Sequence, residues 1–304
     1  MYLPPPLHRA RKFAKRVVAR TANEITWQRA AADAPVVLTD DTGFRFTFHP
    51  WMRPYAKNLL RRSSTAGQWA AVAALVRPND VVFDVGAHVG RFSAFVNRLL
   101  SDEGRVFAFE PVPDSFWMFM ENMALNRCTR VIATQAAVSD RAGSVTMNLF
   151  PPEFSSWNSM GQPVMKTPTG LSIAPGREVA VPATTLDAAC VREGIARIDF
   201  LKVDVEGFEK AVFDGARGLL SRRRIGRICF EISADPLRGA GMTARDVFAT
   251  LESYGYGVHG YDDAARRFTP RVHDTDAQWA NFYASVEPLE RAVNPAASIS
   301  ALAA

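Results

Sequence analysis

The stretch that most constrains the fold of this chain runs from Val81 to Pro111, VVFDVGAHVGRFSAFVNRLLSDEGRVFAFEP. It opens with an apolar triplet, Val81-Val82-Phe83, which indicates a short buried strand. Apolar residues then recur at helical spacing from Arg91 to Leu100, and a second short apolar run extends from Val106 to Phe109. The order strand, loop, helix, strand predicts one right-handed βαβ unit of an α/β fold.

Two glycines bracket the loop of this unit, and an acid ends its second strand. Gly86 has no Cβ, so the backbone there can pass close to a ligand. Glu110 follows roughly 24 residues later, a spacing at which an acid can accept hydrogen bonds from both hydroxyls of a ribose. Residues 84–90 lack the middle glycine of dinucleotide-binding loops, and Asp84 would repel a pyrophosphate but suits a cationic amino-acid moiety. The stretch therefore resembles the first motif of class I methyltransferases that use S-adenosylmethionine.

Composition and charge exclude several classes of protein. The 304 residues are 48% hydrophobic, enough for a sizeable core, but no apolar run is long enough for a membrane span. The net charge of +5 comes from six basic residues among the first twenty, and the rest of the chain is within one charge of neutrality. A balanced body does not predict nucleic-acid binding. Three widely spaced cysteines predict buried thiols in a reducing cytoplasm.

The chain divides into three expected regions. Residues 1–65 form an N-terminal extension, residues 66–287 the main domain, and residues 288–304 a disordered tail. Within the extension, residues 8–20 predict a basic solvated helix, with a weak peripheral contact to anionic lipid or an acidic partner as the alternative. Residues 36–49 alternate apolar and polar side chains about a turn, which predicts a β-hairpin.

Three elements of the main domain carry specific expectations. Val131 to Val138 is expected to form the third strand of the sheet. Val179 to Asp187 predicts an edge strand, because Pro182 is best tolerated where one side of the strand is unpaired. Asp114 is expected to N-cap a helix from Ser115 to Asn126.

A second informative stretch runs from Ile198 to Gly207, IDFLKVDVEG, before a helix expected from Glu209 to Leu220. Alternation places Lys202, Asp204 and Glu206 on one side of the strand end. A buried strand carries such charges only when they are paired or line a cleft. In open α/β sheets the cleft lies at the carboxyl ends of the strands, so these three residues are the candidate catalytic residues. A structural Lys–carboxylate cluster is the alternative.

Six motifs occur in order between Val81 and Ser233, namely VFDVGAHVG, FAFEP, AAVSDRAG, TTLDA, KVDVEGFEKAVFDGA and CFEIS. The ordered set is similar to the FkbM family of methyltransferases. The resemblance implies a Rossmann-like class I methyltransferase fold, a seven-stranded and mostly parallel sheet with helices on both faces. It also implies S-adenosylmethionine as cofactor and transfer of its methyl group to a hydroxyl oxygen.

The resemblance also assigns roles to residues of the first loop. Asp84, Gly86 and Gly90 would line the methionine moiety of the cofactor. Ala87 and His88 lie between the two glycines and belong to the same candidate cofactor site.

Further candidate cofactor residues follow from the same resemblance. Glu110, followed by Pro111, would hold the ribose, and the turn at Val138 and Ser139 would lie near the adenine. Asp204 would face the reactive methyl group.

Methyl transfer needs few groups from the protein, because the cofactor brings an electrophilic methyl group. The acceptor oxygen must be held in line, and its proton must be taken. Asp204 or Glu206 is the expected base, and His88 is a weaker candidate. Asp204 and Glu231 end strands that would be neighbours in the methyltransferase sheet, so Mg²⁺ is an alternative. No third ligand is evident from the sequence, and we expect no metal site.

The acceptor side of the cleft is expected to be covered by two irregular segments, Pro151 to Gly176 and Trp51 to Ser64. Trp157 would offer a stacking face, and Ser156 and Asn158 would hydrogen-bond hydroxyl groups. The expected acceptor is a sugar, a glycolipid head group or another small molecule. A disordered insertion without contact to the site is the alternative.

Two functions from other classes remain open. An NAD-dependent oxidoreductase could use the same sheet, although the missing middle glycine disfavours it. A non-catalytic nucleoside-binding module would have no need of Asp204 and Glu206 in its cleft.

Overall fold

The computed structural model describes residues 31–40, 42–53, 55–56, 66–167, 170–270 and 279–289, together with residues 23, 25, 26 and 28. The predicted basic helix at 8–20 and most of the predicted tail lie outside the described residues. The strands are Val36–Thr39 (β1), Arg45–Phe48 (β2), Val81–Val85 (β3), Arg105–Phe109 (β4), Val131–Thr134 (β5), Ala137–Val138 (β6), Gly143–Leu149 (β7), Met165–Lys166 (β8), Ser172–Ile173 (β9), Arg177–Thr184 (β10), Ile198–Val203 (β11), Ile225–Ser233 (β12), Gly257–Asp262 (β13), Arg267–Pro270 (β14) and Trp279–Ser285 (β15). The helices are Ala66–Leu75 (α1), Arg91–Asn97 (α2), Pro113–Leu125 (α3), Leu186–Glu193 (α4), Glu209–Asp214 (α5), Arg217–Ser221 (α6), Ala234–Gly239 (α7) and Ala244–Ser253 (α8). None of the described helices is long and apolar enough to cross a membrane.

A mixed sheet of eight strands forms the centre of the molecule, in the order β14-β13-β15-β12-β11-β3-β4-β5. The five strands from β12 to β5 are parallel, and β15 runs antiparallel to β12. The α/β architecture and the βαβ unit at its centre are therefore as predicted. The count of seven strands is wrong by one, because β14 adds to the edge beyond β13. Chain order reverses between β3 and β11, and ligands of such sheets bind at that point.

A second, three-stranded sheet corrects two predictions. The apolar run from Val131 to Val138 is two strands, since β5 ends at Thr134 and β6 joins the small sheet β6-β10-β7. Strand β10 is the middle strand of that sheet, so the predicted edge position of Val179 to Asp187 is wrong. Pro182 is tolerated because β6 pairs only with Ala183 and Thr184, which leaves Pro182 with a neighbour on the β7 side alone.

Apolar side chains cover both faces of the main sheet. Along β3 the alternation sends Val82 into one buried cluster and Phe83 and Val85 into the other. The first cluster includes the predicted hairpin, β1–β2, whose Thr47 N–H donates to Asn122 Oδ1 at 2.8 Å. The hairpin is thus confirmed, and it packs on α3. The three cysteines are buried free thiols, as expected.

Two helix predictions differ from the structure for local reasons. Helix α3 begins at Pro113, whose fixed φ suits the first helical position, so Asp114 lies in the first turn and does not cap. The helix predicted from Glu209 to Leu220 is two helices, α5 and α6. It breaks next to Gly215, where a Cβ would overlap the carbonyl of Ser139.

Candidate active site

A cleft of about 520 Å³ opens at the carboxyl ends of β3, β4, β11 and β12. Twelve of the residues proposed from the sequence line it, and they come from every part of the predicted site: Gly86, Ala87, His88, Glu110, Pro111, Val138, Ser156, Trp157, Asn158, Lys202, Asp204 and Glu206. The folded chain therefore brings together loops that are more than a hundred residues apart in sequence.

The first loop is held tightly between two strands. The N–H groups of Gly86 and Ala87 both donate to the carbonyl of Phe109 at 3.0 Å, and the N–H of Asp204 donates to the carbonyl of Val85 at 3.0 Å. Gly86 has φ +82, and a Cβ there would overlap the carbonyl oxygen of Asp204. Only glycine fits this close approach of the loop to β11.

Asp84 lies behind this loop instead of on the cleft wall. Its side chain is fully buried, with Oδ2 accepting from Ser93 Oγ at 2.7 Å and Oδ1 3.3 Å from Lys202 Nζ. The same Nζ donates to the carbonyl of Gly86 at 3.0 Å and lies 3.3 Å from Asp204 Oδ2. Burial alone would lower the pKa of Lys202, but the two carboxylates outweigh it and raise the pKa. Lys202 thus remains charged and ties the loop to Asp204.

Two other predicted residues also lie off the cleft wall. Gly90 precedes α2 with φ +90, and a Cβ there would come within 2.5 Å of Met123 Cε. Ser139 is buried, and its N–H donates to the carbonyl of Thr184 at 2.9 Å. Gly90 and Ser139 therefore stabilise the loops that line the cleft without lining it themselves.

Glu110, which is buried, and the half-buried His88 are hydrogen-bonded to each other at one end of the cleft. Glu110 Oε2 accepts from the His88 N–H at 2.8 Å, and Oε1 accepts from the Val112 N–H at 3.0 Å. Burial raises the pKa of Glu110 to about 7 in spite of these hydrogen bonds. The imidazole of His88 lies 3.1 Å from Ser155 Oγ and packs edge-on against Tyr55. Burial, and then the charge of Lys202, lower the pKa of His88 to about 3, so its ring is neutral.

Three carboxylates meet at the other end of the cleft. Oxygen atoms of Asp204, Glu206 and Glu231 all lie within 4.8 Å of one another, and the three side chains are half-buried. Burial, followed by the neighbouring carboxylates, raises the pKa of both Glu206 and Glu231. Such a group can hold a proton or a divalent cation. From the sequence only Asp204 and Glu231 were considered as ligands, because the turn that brings Glu206 beside them is set by tertiary contacts.

The segment expected to bind the acceptor is anchored to the body of the protein. A 3-10 turn, Pro152–Trp157, stacks Trp157 on Phe154 with ring centroids 4.5 Å apart. Asn158 Oδ1 accepts from the Phe150 N–H at 2.8 Å, which commits one polar atom of this predicted acceptor residue. The turn Pro50–Met52 contacts this segment, whereas most of the other predicted lid, residues 54 and 57–64, lies outside the described residues. Ser155 was missed, since no sequence signal ties it to His88.

A mixed sheet whose chain order reverses between β3 and β11, with a carboxylate-lined cleft at the carboxyl ends of its parallel strands, is the architecture expected of a methyltransferase. Residues 84–258 match the methyltransferase FkbM domain, and the chain belongs to that family.

Three curated relatives set the family context. The chain is 30% identical to the 31-O-demethyl-FK506 methyltransferase FkbM of Streptomyces tacrolimicus over 62% of its own length and 76% of the relative's. It is 24% identical to the 2-O-methyltransferase NoeI of Sinorhizobium fredii over 70% of this chain and 88% of that protein. It is 28% identical to the hexuronic acid methyltransferase AglP of Haloferax volcanii over 47% of this chain and 52% of that protein.

Proposed function

We propose that the protein is an S-adenosylmethionine-dependent O-methyltransferase that acts on a hydroxyl group of a sugar, a glycolipid head group or a small secondary metabolite. The observation that carries the proposal is that Gly86, Glu110 and Asp204 line one cleft, at the place in the sheet where chain order reverses between β3 and β11. Two of the relatives are named for methylation of an oxygen, and a third for methylation of a hexuronic acid. A cytoplasmic location is part of the same proposal.

The residues of the cleft fit the proposed cofactor. The carboxylates of Glu110 and Asp204 line the cleft, which suits a cationic sulfonium and the hydroxyls of a ribose, and the neutral ring of His88 adds no positive charge that would repel the sulfonium. Gly86, Ala87 and His88 would hold the methionine moiety, Glu110 and Pro111 the ribose, and Val138 the adenine. When bound, the cofactor supplies a methyl group that is already electrophilic.

The chain itself must orient the acceptor and remove its proton. Asp204 lines the cleft beside Lys202, whose charge fixes the direction of the carboxylate. Asp204 would accept the proton of the acceptor hydroxyl, and Glu206 or Glu231 could hold that proton afterwards because their pKa values are raised. Trp157, Ser156 and Asn158 would position the acceptor, an orientation effect that by itself speeds the reaction.

Binding experiments separate this proposal from the oxidoreductase. Isothermal titration should give saturable binding of S-adenosylmethionine and none of NAD, because several carboxylates line the cleft and a pyrophosphate is anionic. Binding of NAD instead would favour the oxidoreductase.

A labelling experiment separates the enzyme from the binding module. Incubation with methyl-labelled S-adenosylmethionine and a cell extract should yield a labelled small molecule or glycan whose formation requires the protein. Tight cofactor binding without any labelled product would favour a non-catalytic nucleoside-binding module.

A further inference from the structure

The turn that carries Glu206 has a backbone conformation that must be held in place. Glu206 has φ +52, in the left-handed region that residues with a Cβ seldom adopt. Gly207 follows with φ +97, and a Cβ there would come within 2.5 Å of the carbonyl oxygen of Pro236. Such a conformation persists only where the surrounding structure imposes it, and it is concentrated at functional sites.

Glu209 holds this turn from behind. Its Oε1 accepts from the N–H of Val205 at 3.3 Å and from the N–H of Gly207 at 3.2 Å, the residues on either side of Glu206. Glu209 is 2% exposed, and it is not among the residues that line the cleft. One carboxylate oxygen of Glu209 thus fixes the residues on either side of the strained Glu206, although Glu209 itself does not line the cleft.

Ser159 holds the same turn from the acceptor side. Its Oγ donates to the carbonyl of Glu206 at 2.7 Å and accepts from the Gly161 N–H at 3.2 Å. Ser159 is fully buried, and its backbone exchanges two hydrogen bonds with Asn148 of β7. The segment that bears Trp157 is therefore joined to the turn that bears Glu206.

We infer that Glu209 is a positioning residue, which holds Glu206 in the left-handed conformation that brings its carboxylate beside Asp204 and Glu231. The inference rests on the proposed function, in which that group of carboxylates handles the acceptor proton. Ser159 also holds this turn, so that the segment that bears Trp157 and the turn that bears Glu206 stay in a fixed position relative to each other.

The experiment compares two substitutions of Glu209 with a matched control. In Glu209→Gln the amide oxygen can still accept from both N–H groups, whereas Glu209→Ala offers no acceptor. Asp187 makes the same kind of contact elsewhere, accepting from the N–H groups of Gly218 and Leu219 at 2.7 and 2.9 Å, away from the cleft. Asp187→Ala therefore loses a comparable pair of hydrogen bonds without touching the site.

With the acceptor isolated in the labelling experiment as substrate, we expect kcat to fall at least tenfold in Glu209→Ala, with the KM for that acceptor and the affinity for S-adenosylhomocysteine within about threefold of wild type. Glu209→Gln should retain most of the turnover, and Asp187→Ala should leave kcat unchanged even if it melts at a lower temperature. Wild-type kcat in Glu209→Ala, equal losses in the Gln and Ala variants, or an equal loss in Asp187→Ala would each overturn the inference.

A second measurement does not depend on activity. A glutamyl-specific protease should cleave after Glu206 faster in Glu209→Ala than in wild type, Glu209→Gln or Asp187→Ala, as followed by mass spectrometry. Equal cleavage in all four proteins would overturn the positioning role even if no methyl transfer is found. Absence of methyl transfer by the wild type, with the expected cleavage pattern, would overturn the proposed function alone.

Discussion

Two buried glutamates, Glu110 in the wall of the cleft and Glu209 outside it, look alike but make different contacts. Glu110 is 6% exposed and Glu209 is 2% exposed, each accepts hydrogen bonds from two backbone N–H groups, and burial raises the pKa of each to about 7. Glu110 divides its contacts between both oxygens and lines the cleft. Glu209 makes both contacts through Oε1, and its Oε2 has no hydrogen-bond partner among the described residues.

Glu110 therefore forms part of the cleft wall, whereas Glu209 supports the turn of Glu206 from outside the cleft. At the Glu110 end both oxygens are already engaged with the loop, so the carboxylate is fixed before any ligand arrives and can receive ribose hydroxyls without reorganisation. At the other end of the cleft, Glu209 supports the turn that carries Glu206. The carboxylates there, those of Asp204, Glu206 and Glu231, repel one another. Under the proposed function, the end of the cleft at Glu110 would bind the cofactor and the end at Asp204 would transfer a proton.

The largest effect should come from Gly86→Ala, which should cost about 3 kcal/mol or more in unfolding free energy and abolish cofactor binding. The new Cβ would overlap the Asp204 carbonyl in addition to the strain of φ +82. Gly43→Ala is the control, since Gly43 has φ +89 but no described atom within 4 Å of the added Cβ. Urea unfolding should show a loss of only about 1 kcal/mol there. Equal losses at both positions would mean that the close approach to β11 is unimportant.

Glu110→Ala should weaken cofactor binding by roughly 2–4 kcal/mol, because two charge-assisted hydrogen bonds to the ribose are lost. Glu110 is buried and satisfies two backbone N–H groups, so its side chain also contributes to the stability of the fold. We therefore also expect a loss of about 1–3 kcal/mol in unfolding free energy. Titration calorimetry that finds unchanged cofactor affinity in the folded variant would remove the ribose assignment.

Asp204→Asn should cut turnover by about a hundredfold or more while cofactor affinity stays close to wild type. Asparagine keeps an oxygen toward Lys202 but cannot take a proton at neutral pH. Wild-type turnover in this variant would move the role of base to Glu206. Loss of wild-type activity with a chelator, restored by Mg²⁺, would instead indicate a cation bound by Asp204, Glu206 and Glu231.

How much of this site the sequence could predict depended on how local the signal was. The βαβ unit, Gly86 and Glu110 were found because periodicity and spacing within about thirty residues encode them. The change of sheet inside Val131 to Val138 was missed, since only Thr134 and Gln135 interrupt the apolar residues and the partners of β6 on β10 lie 46 residues further along the chain. Asp84 was expected to line the methionine moiety of the cofactor, but it is fully buried against Lys202 and Ser93, and no local pattern encodes these contacts.

Trp157→Ala should raise the acceptor KM about fivefold and leave cofactor affinity unchanged. The exposed part of the ring lines the cleft, and an aromatic face is worth about 1 kcal/mol to a sugar or apolar ligand. Phe150 packs edge-on against Trp157 without lining the cleft, so Phe150→Leu is a suitable control. Limited proteolysis adds a second readout, in which cofactor product and acceptor together should protect the bonds near Trp157. Cleavage there that leaves activity unchanged would mean that the segment does not cover the site.

The smallest effect tests the two glutamates directly through the pH dependence of stability. The pKa of Glu209 is about 7 in the folded protein against an ordinary 4.5, so the folded state is favoured below pH 4.5 and loses this contribution as pH rises through 7. Glu209→Gln does not titrate, and its single oxygen still serves both N–H groups. Relative to wild type, Glu209→Gln should therefore gain about 1 kcal/mol in unfolding free energy at pH 8 and nothing at pH 4.5. This gain is smaller than the pKa shift of Glu209 alone would give, because the structure around the ionised carboxylate relaxes.

The matched variant Glu110→Gln should not show this gain. Its amide can accept from only one of the two N–H groups and turns an NH₂ toward the other, which offsets the relief from burying a charge. Urea titrations of the three proteins at pH 4.5 and pH 8 would measure the difference. Equal stabilisation of both variants at pH 8 would show that burial alone sets how these two carboxylates affect stability. Whether a glutamate accepts through one oxygen, as Glu209 does, or through both, as Glu110 does, would then have no effect.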